Sequence, residues 1–169
     1  MKDPTAQLSH PVHLETLQAA LDIAEAVSTR TDAMQQVASL LQRNLDGYDW
    51  VGFYLVEAPA EPDAEPDTLV LGPYVGAATD HTRIPFGRGI CGQVAVSGQT
   101  LLVSDVTEAE NYLACSTKTQ SELVVPMFAP DGTMLGQLDI DSHQIAWFTG
   151  DDRVLLEAIC GAVGAIPAP

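Results

Sequence analysis

Apolar residues recur three and four positions apart early in the chain, and from Trp50 onward they give way to short runs that suit strands. Leu14, Leu17, Leu21 and Ala24 predict an amphipathic helix over residues 13–28. Met34, Val37, Leu41 and Leu45 predict a second, with Thr31 or Asp32 placed to accept hydrogen bonds from its first amides. Gly47 then ends the helical region, since glycine takes the left-handed conformation that helix ends often need. Trp50-Val51-Gly52-Phe53-Tyr54-Leu55-Val56 is a β-branched and aromatic run, hence a strand. Residues 68–71 resume a strand, antiparallel to the first, and residues 100–103, 123–128 and 134–140 are further strands. Asp131-Gly132 is a turn dipeptide that makes the last two a hairpin. A closing helix spans residues 151–162, with Val154, Leu155, Ala158 and Ile159 on one side.

This order predicts an α+β fold, a central antiparallel sheet with helices packed on it. The expected organisation is a single domain over residues 1–169, with an N-terminal tail of about residues 1–11. Residues 57–67, rich in Ala, Pro, Glu and Asp, form an acidic, solvated loop in this reading. The 169 residues are 46% hydrophobic, enough for a real core. Seven basic residues face 23 acidic ones, for a formal charge of −16. Such a surface repels phosphate backbones and anionic lipid, so neither nucleic acid nor membrane is an expected partner. No run reaches the roughly 18–20 apolar residues of a bilayer span, and the first residues lack the pattern of a signal peptide. A cytoplasmic location is the corresponding expectation.

The three cysteines, Cys91, Cys115 and Cys160, make no disulfide framework and include no CxxC, so no structural metal is expected. Cys91 sits among glycines in Arg83-Ile84-Pro85-Phe86-Gly87-Arg88-Gly89-Ile90-Cys91-Gly92, where a short helix begins near Gly89. A helix N-terminus favours a thiolate, although a buried cysteine in a tight turn fits equally well. Cys115 lies in the polar stretch Asn111-Tyr112-Leu113-Ala114-Cys115-Ser116-Thr117-Lys118, near a lysine that can lower its pKa; taken without its neighbours, an incidental surface thiol is the plainer alternative. Cys160 falls within the apolar pattern of the last helix and reads as core. Glu122 directly precedes a strand, while Asp139 and Asp141 are two apart on another and share a face. Close carboxylates raise one another's pKa, and they suit proton donation or an ammonium group; a solvated strand end is the plainer alternative. Trp50 and Tyr54 also share a face, as core or as an aromatic wall. His81 with Cys91 and Cys115 matches no familiar zinc spacing.

Taken together these residues resemble the free methionine-(R)-sulfoxide reductases, which are built on a GAF domain. The matching pieces are Trp50 to Leu55, Leu69-Val70-Leu71-Gly72-Pro73-Tyr74, the Cys91 motif, Ala114-Cys115, Ser121-Glu122-Leu123-Val124-Val125-Pro126 and Leu138-Asp139-Ile140-Asp141-Ser142. The resemblance implies a GAF-like fold and an oxidoreductase that reduces free L-methionine-(R)-S-oxide. Cys115 matches the attacking cysteine, which would become a sulfenic acid. Cys91 matches a second family cysteine, implicated in binding or thiol exchange. Glu122, Asp139 and Asp141 match the acidic residues that hold the substrate and polarise its sulfoxide, and Trp50 and Tyr54 fall where the thioether end is received. No bound cofactor is implied. The reductant would be thioredoxin or another thiol, and family members often form homodimers. One position departs from the pattern: His81 stands where a third, resolving cysteine is usual. A non-catalytic GAF module that binds a small molecule or senses redox state is the competing reading.

Overall fold

The computed structural model describes residues 4–59, 66–109 and 118–167, which leaves Cys115 and residues 60–65 of the acidic loop outside the described residues. Helices α1 (Pro11–Ala26) and α2 (Arg30–Asn44) lead into strands β1 (Trp50–Val56), β2 (Thr68–Val75) and β3 (Arg83–Pro85). Helix α3 (Gly89–Ser97) precedes β4 (Leu101–Val103), β5 (Ser121–Phe128) and β6 (Met134–Ser142), and α4 (Gly150–Gly164) closes the chain. The strands form one sheet in the order β3-β2-β1-β6-β5-β4, with antiparallel pairing throughout. The expected α+β architecture is therefore the one observed.

Side-chain alternation divides this sheet into two chemically different faces. Val51, Phe53, Leu123, Val125, Met127, Leu138 and Ile140 point to the larger core, under α1, α2 and α4. The intervening residues of the same strands point the other way, to a smaller core of Trp50, Tyr54, Ile90, Cys91, Val94 and Val124 beneath α3. Cys160 belongs to the larger core, as its periodicity predicts, and burial pushes its thiol pKa well up.

Several boundaries differ from the sequence reading, each for a local reason. Thr29, rather than Thr31 or Asp32, caps α2: its hydroxyl accepts from the Asp32 amide and donates to the Asp32 carboxylate. Helix α2 stops at Asn44, and Gly47 (φ 72°) takes the left-handed turn beyond it. The N-terminal tail is partly docked, because Leu8 is buried in the larger core and Ser9 is tied to Asp151 of α4. Strand β5 starts at Ser121, so Glu122 lies within the sheet instead of preceding it. Strand β3, which pairs with β2, carries too few residues to show a period of two.

Candidate active site

Glu122, Asp139 and Asp141 come together on the α3 face of the sheet. Register brings them there: Glu122 stands opposite Asp141, and Asp141 stands opposite Trp50 on the far side. One step along, Asp139 lies between Val124 and Gly52. None is solvated, with Asp139 0% exposed and Glu122 and Asp141 2% each. The strand-end alternative is thereby overturned.

Burial sets the proton chemistry of this trio. Desolvation pushes the Glu122 carboxyl well above its ordinary range, and the nearby charges of Asp139 and Asp141 push the same way. Asp141 is raised mainly by burial and then by Asp139. Asp139 rises to about 7 through burial, held back by hydrogen bonds from Cys91 and Glu122. Mutual repulsion, the cause expected from sequence, is thus secondary to the loss of water. Glu122 and Asp139 share a side-chain hydrogen bond, and the Cys91 Sγ donates to Asp139 Oδ2 at 3.3 Å. Asp139 Oδ1 and Asp141 Oδ1 are buried with no hydrogen-bond partner among the described residues.

Cys91 is the third residue of α3 and buried against the acids. Its thiol serves as a donor there, so the thiolate favoured by a helix N-terminus is not the arrangement observed. The glycines explain the approach. Gly87 and Gly89 hold positive φ (83° and 65°), and a Cβ on Gly92 would sit 2.7 Å from the Pro85 carbonyl oxygen. Helix α3 thus begins hard against the strand that precedes it.

Trp50 and Tyr54 do share a face and stack with ring centroids 6.2 Å apart. Tyr74, which the sequence reading did not single out, extends the wall by stacking on Trp50 at 5.5 Å. The Trp50 indole N–H donates to the Ala77 carbonyl at 3.1 Å, and the Tyr54 hydroxyl to the His81 carbonyl at 2.8 Å. Both aromatics therefore anchor the segment between β2 and β3. Gln137 was also missed. It is fully buried two residues before Asp139, and its amide has no hydrogen-bond partner among the described residues. Its signal was the same alternation that groups Asp139 with Asp141.

An aromatic wall, a buried acid cluster and a thiol share one face of a six-stranded sheet. The GAF domain family matches residues 29–166. The free methionine-R-sulfoxide reductase of Escherichia coli is 36% identical over 120 residues, which is 71% of this chain and 67% of that protein. Its Saccharomyces cerevisiae counterpart is 38% identical over 111 residues, 66% of this chain and 58% of that protein. The chain belongs to the free methionine-R-sulfoxide reductase family of GAF-domain proteins. Among solved structures, the free methionine-R-sulfoxide reductase of Neisseria meningitidis in complex with its substrate superposes with a TM-score of 0.82 at 34% identity. That match covers 97% of this chain and 90% of the other. In this GAF-domain chain the three acids, Cys91 and the aromatic wall thus occupy a fold that a relative uses to hold a substrate.

Proposed function

We propose that this protein reduces free L-methionine-(R)-S-oxide to methionine, with Cys115 as the attacking thiol. The observation that carries this reading is the pair of buried oxygens on Asp139 and Asp141 that have no hydrogen-bond partner among the described residues, beside Glu122, whose carboxyl burial pushes well above its ordinary range. A free amino acid brings an ammonium group that satisfies such oxygens. A sulfoxide within a protein brings an amide in its place, and its chain would not fit beneath a buried carboxylate cluster.

The chemistry follows from the same groups. The Cys115 thiolate attacks the sulfoxide sulfur while Glu122 protonates the sulfoxide oxygen. The oxygen then passes as hydroxyl from the substrate sulfur to Cys115 Sγ as the S–O bond and the transient bond between the two sulfurs break, so that methionine leaves and Cys115 is left as a sulfenic acid. A second thiol condenses with that acid, releasing water and forming a disulfide, and two electrons from an external thiol such as thioredoxin restore the cysteines. Cys91 is the candidate second thiol, because His81 offers none. Trp50, Tyr54 and Tyr74 would receive the thioether end.

The test is methionine formation from the (R)-sulfoxide, with dithiothreitol and separately with thioredoxin. Cys115→Ser is expected to abolish turnover while ligand binding survives. Turnover with dithiothreitol and not with thioredoxin would place the defect at His81. Folded protein that binds the sulfoxide and yields no methionine under either reductant would instead be a binding module, and the enzyme reading would fall.

A further inference from the structure

The groups at the base of the site also form a metal ligand set. One donor atom from each of Cys91, Glu122 and Asp139 lies within 4.8 Å of the others. Neighbouring ligands around tetrahedral zinc are about 3.3–3.7 Å apart, given bonds of roughly 2.0–2.3 Å. Cys91 Sγ and Asp139 Oδ2 already stand 3.3 Å apart. Asp139 Oδ1 and Asp141 Oδ1, buried with no hydrogen-bond partner among the described residues, point the same way, since buried acceptors call for a cation, a donor or water.

We propose that Cys91, Glu122 and Asp139 bind a thiophilic divalent cation of the zinc class, reversibly and in competition with substrate. The sulfur ligand selects the class: magnesium and calcium take oxygen ligands in sets of about six or more, whereas zinc accepts sulfur and carboxylate in fours. Charge favours it as well. Coordination exchanges two protons, one from the thiol and one from between Glu122 and Asp139, for one dication, and both protons pass to the buffer. The net buried charge is the same before and after, and the new anionic ligands and the dication offset one another at close range. The ion occupies the groups assigned above to substrate and proton, and it acts as an inhibitor rather than a cofactor. The binding stands alone; only the inhibition rests on the reductase reading.

Zinc is titrated calorimetrically into the full chain kept reduced with a phosphine, and cobalt(II) serves as the spectroscopic probe. One ion per chain is expected, with a thiolate-to-cobalt charge-transfer band. Cys91→Ser should abolish the band, and Glu122→Gln should weaken binding by at least about tenfold. Circular dichroism checks that both variants fold, and Cys160→Ser should bind as the parent does. A missing band, one that persists in Cys91→Ser, or one lost only in Cys115→Ser overturns the proposal. A Cys91-dependent band in protein that yields no methionine would sink the reductase reading and leave the site standing. Turnover that zinc leaves unchanged would overturn the competition.

Discussion

At Asp139 a carboxyl group is fully buried, and its protonation becomes a matter of stability. Its pKa is raised to about 7, mainly by burial, against an unfolded value of about 4. Between those values the native state keeps a proton that the unfolded chain has released, so this residue's contribution falls as pH rises. The slope reaches about 1.4 kcal/mol per pH unit. Asp105, Asp131 and Asp151, whose hydrogen bonds lower their pKa values, act in the opposite sense. The readout is therefore a difference: Asp139→Asn should gain stability relative to wild type from about pH 4 to about pH 7 in urea unfolding. A gap that stays constant with pH would refute the assignment. That Asp139 and Asp141 share a face was legible in the sequence, because alternation needs only two residues of one strand. Their burial was not legible, since it depends on α3 covering the sheet.

At the scale of the element, strand β1 shapes the site by what it lacks. A Cβ on Gly52 would sit 2.2 Å from the Trp50 ring and 2.9 Å from Tyr74 Cβ. Gly52→Ala should therefore displace the indole and open the aromatic wall. We expect KM for the sulfoxide to rise several-fold while the protein stays folded, with near-UV circular dichroism reporting the displaced tryptophan. An unchanged spectrum and KM would show that the wall tolerates the methyl group. Strand β1 was readable from residue types alone, with both ends correct. Tyr74 was not assigned to the wall, because the strand expected over residues 68–71 in fact runs on to Val75 and its pairing with β1 shifts register between Gly52 and Tyr54. Such a shift cannot be read from either strand by itself.

The whole molecule is held at the sheet face opposite the site, where α1, α2 and α4 meet. Asp152 is the joint. One of its oxygens accepts the Tyr48 hydroxyl at 2.9 Å and stands 3.3 Å from His13 Nε2. The other accepts the Thr149 amide and hydroxyl that cap α4. Burial first, and Asp152 second, push the Tyr48 pKa well up, so the phenol remains a donor. Tyr48→Phe should cost about 1.5–3 kcal/mol in chemical unfolding, the worth of a hydrogen bond to a charged group. Methionine formation by the folded variant should be unaffected, because this joint lies across the sheet. A loss of turnover without a loss of stability would show that the two faces communicate. Among the described residues, no helix is long and apolar enough to cross a membrane.

Local chemistry determined a good deal by itself: the four helices and every strand but β3, which residues share a strand face, and that Cys160 is core while Cys91 opens a helix. Each of these depends on the spacing of neighbours along one element. Only the tertiary structure decided the register that sets Glu122 opposite Asp141, the burial that raises its pKa, and the approach of Cys91 to Asp139. Those relations join β5, β6 and α3, which lie far apart along the chain. The pKa of a carboxyl group depends on the water and charge around it, and both are settled by packing.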